Sequence, residues 1–129
     1  LPCATQNELG ADDAGALIEG GCRVVAAGAN MPATARAIGR LQEARVAFAP
    51  GKAANAGGVS VSGLEQSQNA LRLSWSREDV DARLRQIIER IHATCAAEGT
   101  RDDGTIDYVA GANRAGFKRV ADALLAQGF

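Results

Sequence analysis

The chain has 129 residues, 47% hydrophobic and 22% charged, which is enough for one folded domain and too apolar for a disordered segment. Fourteen basic and fifteen acidic residues leave a net charge of -1, which excludes the broad basic surface that nucleic acids or anionic membranes attract. Three widely spaced cysteines, Cys3, Cys22 and Cys95, exclude a disulfide framework and a Cys-x-x-Cys metal site, so we expect reduced thiols.

The first ten residues, "LPCATQNELG", begin without Met on an apolar, strand-like end that runs straight into polar residues. This start predicts a piece of a longer protein. It has neither the basic residues nor the apolar core of a signal peptide, and no apolar run in the chain approaches the ~20 residues of a membrane span. We therefore expect a cytoplasmic protein.

The first helix is expected to begin at an Asp12 cap, to turn Leu17 and Ile18 inward and to end at Gly20. The apolar run at residues 22–27 then predicts a buried strand. Because this strand is almost continuous in apolar residues, it is typical of a parallel sheet whose two faces are both covered by helices.

A second helix is expected after "GANMP", with Asn30 as its cap and Pro32 in its first turn. Its inward face would carry Ala37, Ile38, Leu41 and Ala44. Residues 46–50 predict a second short strand, and strands that alternate with helices of this length indicate βαβ units around a parallel sheet. The front of the chain is predicted to be α/β.

The back of the chain is predicted to be helical. Ser76 and Asp79 form a capping box for a long helix, residues 98–107 form a polar loop, and Asn113 caps a last helix that Gly128 follows. The long helix would bury Val80, Leu84, Ile87, Ile88, Ile91 and Cys95, and the last helix would pack Phe117, Val120, Leu124 and Leu125 on one face.

The residues give little support to catalysis by this chain alone. The sequence around Lys52 is not a P-loop, and no Gly-x-Gly-x-x-Gly occurs. His92 is expected on the solvent side of its helix, without a cysteine or second histidine at metal-ligand spacing. The acidic residues Asp102, Asp103 and Asp107 lie in the polar loop, where we expect them to be solvated. We therefore expect neither a metal site nor a self-contained catalytic site.

Uncharged polar clusters follow both predicted strands, and a further cluster, "CATQNE", lies near the start of the chain. In parallel α/β sheets ligands bind at the carboxyl edge of the strands, so these clusters predict a binding site, although Asn and Gly also serve as plain helix caps. Gly57 and Gly58 would let another group approach the start of a helix on which Val59 and Ser62 share one face.

Five segments carry a resemblance to the family of bacterial NADP-dependent glutamate dehydrogenases. They are "LPCATQNEL", "GANMP", "FAPGKAANAGGVSVSGLEQSQN", "VDARL" and "VAGAN-AGF--VADALLAQG", in register along the whole chain. The resemblance implies the second half of a Rossmann-like nucleotide-binding domain followed by carboxyl-terminal helices. Residues 1–54 would supply the βαβ part, and residues 55–129 the closing helices.

In that family L-glutamate is oxidised to 2-oxoglutarate and ammonia by hydride transfer to NADP, and the intact enzyme is a homo-hexamer. The catalytic aspartate and lysine belong to a substrate domain that does not match this chain, so the chain alone is expected to be inactive. The resemblance implies that Asn30, with Gln6 and Asn7 nearby, holds the nicotinamide end of the cofactor. It places Asn55 at the cleft between the domains, and Val59 and Ser62 along the substrate side-chain pocket.

Two alternatives stay open at this point. The chain could be a free-standing α/β binding module without catalysis. It could also belong to a branched-chain or aromatic amino acid dehydrogenase, whose pocket needs no hydroxyl for a carboxylate. Ser62 favours an acidic substrate side chain.

Overall fold

The structure is a computed structural model that describes residues 1–128, with six helices and two strands in that range. In chain order they are α1 (Ala11–Glu19), β1 (Val24–Ala26), α2 (Ala35–Glu43), β2 (Ala47–Ala49), α3 (Gly51–Ala54), α4 (Ala56–Leu71), α5 (Arg77–Gly99) and α6 (Tyr108–Gln127). The predicted order of α/β front and helical back is confirmed.

The two strands pair in parallel, with Val25 opposite Phe48 at the centre of the register. Side chains alternate between the faces of a strand. Val25 and Phe48 face a core that α1 and α2 complete, and Leu41 of α2 is fully buried in it. The opposite face is only partly covered, and Val24 is 62% exposed. The expectation that both faces are buried is therefore wrong for residues 1–128.

Three predicted helix caps lie at other residues. The cap of α1 is Gly10, whose N–H donates to the carboxylate of Asp13 at 2.7 Å, so Asp12 lies within the first turn. The cap of α2 is Thr34, whose hydroxyl accepts from the Ala37 N–H at 3.2 Å. Asn30 and Pro32 both precede this helix. The cap of α6 is Asp107, six residues before Asn113.

The long helix α5 begins as predicted and ends later. Ser76 and Asp79 form the capping box, but the helix continues through Gly99, so the polar connection covers only residues 100–107. Of the apolar residues expected to be buried on α5, Cys95 alone is buried, and burial raises the pKa of its thiol. The expected apolar face of α6 is exposed in the described chain, at Phe117, Val120, Leu124 and Leu125.

Where α5 and α6 cross, their backbones are so close that only glycine fits between them. A Cβ atom on Gly111 of α6 would overlap the backbone carbonyl of Cys95 and lie 3.0 Å from the backbone N of Gly99, both on α5. Because these neighbours are backbone atoms of a helix, no rotamer change could make room. The close crossing fixes where α6 lies.

Asp107 joins three parts of the molecule at the start of α6. Its carboxylate accepts from the Ala110 N–H, from the Gln42 side chain of α2, and from the Arg101 guanidinium at 2.7 Å. Burial acts to raise the pKa of Asp107, but the Ala110 N–H and Arg101 outweigh it and hold the pKa below its ordinary value. These contacts between the start of α6, α2 and Arg101 therefore depend on an ionised Asp107 carboxylate.

The corner between α4 and α5 is built around Trp75. Its backbone N–H donates to the Gln68 side-chain oxygen at 2.6 Å, and the guanidinium of Arg83 lies 4.3 Å from the centre of its ring. A left-handed residue, Arg72 (φ 55°), ends α4 just before this corner. Trp75 thus contacts both helices, α4 through its backbone N–H and α5 through its ring.

The first prediction concerns the helix crossing. Gly111→Ala should destabilise the full-length protein that contains this chain by about 2–4 kcal/mol, because the added methyl group has no space. Gly116→Ala is the matched control on the same helix, where a Cβ atom meets nothing within 4 Å. It should be neutral or stabilising by up to about 1 kcal/mol. Urea unfolding measures both, and equal effects would contradict the close crossing.

The second prediction concerns pH. A carboxylate whose folded pKa is depressed contributes stability above its unfolded pKa of about 3.9, and this is lost as the pH falls through the folded pKa. Asp107→Asn keeps an oxygen for Ala110 but loses the ion pair, so it should cost about 1 kcal/mol at pH 7. The cost should shrink as the pH falls from about 3.9 through the folded pKa. Urea unfolding at pH 7 and at a series of acidic pH values checks this, and a cost independent of pH would exclude the charge as its cause.

Candidate functional site

The loops that follow β1 and β2 meet at one edge of the sheet. The pairing continues one step past the strands, because the Ala27 N–H donates to the Ala49 carbonyl at 3.0 Å. Gly51 then opens α3, and a Cβ atom there would lie 2.6 Å from the backbone oxygen of Ala29. The lack of a side chain at Gly51 lets the two loops touch. The polar residues after both strands are therefore neighbours.

Asn30 and Asn55 are joined directly at this edge. The Asn55 side-chain NH2 donates to the Asn30 side-chain oxygen at 2.9 Å. Within residues 1–128, the Asn30 NH2 group and the Asn55 side-chain oxygen have no further hydrogen-bond partner. The pair thus presents one donor group and one acceptor to a ligand. The sequence analysis names both residues as candidate site residues, but it does not predict that they contact each other.

A cavity of about 430 Å³ lies beside Asn30, and we call it the edge cavity. The residues that line it come from six parts of the chain: the amino-terminal segment, the loop after β1, α2, β2, α3 with the preceding Pro50, and α6. The lining residues are Asn7, Asn30, Met31, Pro32, Ala33, Ala35, Ile38, Phe48, Pro50, Gly51, Lys52, Val109 and Asn113. Three amides and one cation provide its polar chemistry.

Asn7 reaches the edge cavity through a strained pairing of backbone segments. Its N–H donates to the Met31 carbonyl at 3.0 Å, and the Leu9 N–H donates to the Pro32 carbonyl at 2.9 Å. Asn7 (φ 58°) and Met31 (φ 51°) both have left-handed backbones, which Asn tolerates and Met adopts at a cost. Gln6, the neighbouring residue, is exposed and does not line the edge cavity.

Sequence reasoning missed Lys52 and Asn113 as members of the site. The Lys52 ammonium donates to the Asn113 side-chain oxygen at 2.5 Å, and Lys52 is the one charged residue among those that line the edge cavity. A signal was present in the two near-copies "AAGAN" and "VAGAN", which end at Asn30 and Asn113. Both amides line the same cavity, although neither caps a helix.

Val59 and Ser62 lie apart from the edge cavity, farther along α4. Asn55 is the residue between α3 and α4, and a helix rise of 1.5 Å per residue puts Val59 and Ser62 about 6 and 10 Å beyond it. Both are exposed, Val59 by 73%. Gly57 and Gly58 occupy the first turn of α4 and also face open space. The described chain thus leaves one side of this helix uncovered.

The site can bind and orient a ligand through directed hydrogen bonds. No carboxylate or imidazole lines the edge cavity. Among residues 1–128, His, Cys, Asp and Glu form no cluster of three that could hold a metal ion, and no helix is both long and apolar enough to cross a membrane. His92 is exposed as expected and contacts the Tyr108 hydroxyl at 3.0 Å, away from this edge.

Comparison with known proteins gives one consistent family. The family model described as Glutamate/Leucine/Phenylalanine/Valine dehydrogenase matches residues 1–128. The chain is 56% identical to the glutamate dehydrogenase of Bacteroides thetaiotaomicron, over 99% of the chain and 29% of that protein. It is 59% identical to the NADP-specific glutamate dehydrogenase of Escherichia coli, over 99% of the chain and 28% of that protein. A relative from Bacteroides fragilis, 53% identical over 99% of the chain and 29% of that protein, is named NAD-specific.

The solved structures agree with these relatives. The structure of Plasmodium falciparum glutamate dehydrogenase 2 is similar with a TM-score of 0.92 and 46% identity, over 98% of this chain and 28% of that one. The chain therefore spans less than a third of the proteins that it matches. A glutamate dehydrogenase from Peptoniphilus asaccharolyticus, at 21% identity and a TM-score of 0.85, shares the fold.

Proposed function

The chain belongs to the Glutamate/Leucine/Phenylalanine/Valine dehydrogenase family, and on that premise we propose that it forms part of an enzyme that oxidises L-glutamate to 2-oxoglutarate and ammonia with NADP. The observation that carries the proposal is the identity above 50% with relatives named glutamate dehydrogenase. The choice of NADP is supported by the name of the Escherichia coli relative.

The edge cavity fits the nicotinamide end of this cofactor. A carboxamide donates and accepts hydrogen bonds as Asn30 and Asn7 do, and Phe48 and Val109 offer apolar contact to a flat ring. When bound there, NADP supplies the hydride acceptor. In this proposal Asn30 and Asn7 orient the ring and ribose, and Gln6 reaches them from the rim. Asn55 acts on Asn30, since it holds the oxygen of that amide and leaves the NH2 group for the ligand.

The exposed side of α4 is proposed as one wall of the substrate pocket. Val59 would contact the aliphatic part of glutamate, and the Ser62 hydroxyl would donate to the distal carboxylate. A neutral hydroxyl adds one directed bond without a second desolvated charge. Residues outside this chain would carry out the proton transfers of the reaction. They would approach the substrate across the open space beside Gly57 and Gly58.

The remaining proposals concern the whole enzyme. Residues 1–54 would be the βαβ part of the nucleotide-binding domain, and residues 55–129 its closing helices. The enzyme would act in the cytoplasm as a homo-hexamer, and the exposed apolar side chains of α6, such as Phe117 and Leu125, support burial by further protein. Light scattering of the full-length enzyme tests the hexamer, and a monomer would contradict it.

The third prediction tests the amide pair in the full-length enzyme. Asn55→Asp keeps the shape of the side chain, and Asp is as well tolerated as Asn before a helix, but it cannot donate to Asn30. The KM for NADP should rise about 2- to 12-fold, the equivalent of a hydrogen bond of about 0.5–1.5 kcal/mol. Asn69→Asp is the control, since it makes the same charge change on the exposed surface of α4. Equal effects of the two variants would show that only charge matters.

The fourth prediction tests the substrate. Ser62→Val should lower kcat/KM for glutamate about 10- to 150-fold, because a hydrogen bond to a charged group contributes about 1.5–3 kcal/mol. Norvaline should lose little or gain, since the pocket no longer leaves a polar group unpaired against it. Ser67→Val, on the same helix with its hydroxyl bonded to the Gly63 carbonyl, is the control. An equal fall for both substrates would make Ser62 a packing residue.

Higher activity of the unchanged enzyme with leucine, valine or phenylalanine than with glutamate would favour the alternative dehydrogenases.

A further inference from the structure

A second groove lies next to the edge cavity, where α3, α5 and α6 meet. Its volume is about 500 Å³. Three basic residues line it, one from each helix: Lys52, Arg90 and Arg119. No Asp or Glu is among its lining residues, and we call it the cationic groove.

The charge of this groove departs from that of the chain. The chain as a whole carries slightly more acidic than basic residues, and nearby cations of α5 and α6 are paired, as in Arg85 with Asp81 and Lys118 with Glu98, each at 3.7 Å. Within residues 1–128, the guanidinium groups of Arg90 and Arg119 form neither a hydrogen bond nor an ion pair. The third cation, Lys52, contacts only a neutral amide.

Three like charges around one concave surface repel each other, and an anion seated between them relieves that repulsion. Arg90 and Arg119 suit this task because the planar guanidinium forms paired hydrogen bonds to phosphate or carboxylate oxygens. Most of the other lining residues are apolar, among them Ile87, Ile91 and Ala115. The groove thus combines cationic side chains with an apolar lining.

We infer that the cationic groove is a second ligand site, which binds a small organic anion that has two or more negative charges, on a phosphate or on two carboxylate groups, and an apolar part. The charges would meet the three cations, and the apolar part would contact the aliphatic lining residues. This site is separate from the Asn30–Asn55 pair and takes no part in the proposed hydride transfer. Lys52 lines both cavities, so the test uses the other two cations.

The experiment is calorimetric titration of the full-length enzyme with phenyl phosphate, benzene-1,3-dicarboxylate and inorganic phosphate at low ionic strength. At least one of the two aromatic anions should bind more tightly than inorganic phosphate, and the anion whose binding the groove variant weakens identifies the charged group. The double variant Arg90→Gln/Arg119→Gln should weaken that binding about 100-fold, since each charge-assisted contact is expected to account for about tenfold.

The control is Arg85→Gln/Arg114→Gln, which removes one cation from each of the same two helices outside the groove. It should change the affinity by about twofold at most. Absence of binding by both aromatic anions would overturn the inference, as would unchanged binding in the groove variant or an equal loss in the control. Glutamate oxidation should be the same in all three proteins, so a failure of the groove is distinguishable from a failure of the proposed function.

Discussion

The parallel pairing of β1 with β2 is the constraint on which the site depends. Because both strands run the same way, the chain leaves them at the same edge, and the loops that carry Asn30 and Asn55 meet there. Strands of three residues contribute few hydrogen bonds, so the core beneath them must hold the register. Val25, Phe48 and Leu41 form the centre of that core, and a slip of either strand by one residue would turn its own core residue, Val25 or Phe48, to the other face.

The second half of the chain completes the edge cavity from a distance. Asn113 reaches Lys52 because α6 lies close against α5, which requires glycine at 99 and 111, and because Asp107 ties the start of α6 to α2. The site is therefore assembled from residues more than a hundred positions apart. Its amides have short side chains, so small shifts of these helices would separate them.

The sequence predicted the elements better than it predicted the roles of individual polar residues. Apolar periodicity located the strands and helices, because burial of one face is a local pattern. The caps were assigned to Asn30 and Asn113, since an Asn before a helix usually caps it. In the structure both side chains bond to residues distant in sequence, Asn55 and Lys52, and Thr34 and Asp107 cap instead. A local pattern cannot show that an amide is already engaged elsewhere. In the same way, the sequence shows the apolar stripe of α6, but a local pattern cannot show whether other parts of the described chain cover that stripe. The family resemblance is confirmed over residues 1–128, whereas the individual site roles that it implies stay predictions.

The corner at Trp75 gives this chain a built-in optical reporter. Trp75 is the only tryptophan among the 129 residues, and its ring lies against a guanidinium at the corner between α4 and α5. Emission from an indole changes with the polarity around it and with contact to a neighbouring cation. A rotation of α4, whose first turns carry the proposed substrate wall, would pull on the Gln68 bond to the Trp75 backbone. Within this chain, fluorescence of that one side chain would thus report such a rotation without an attached dye.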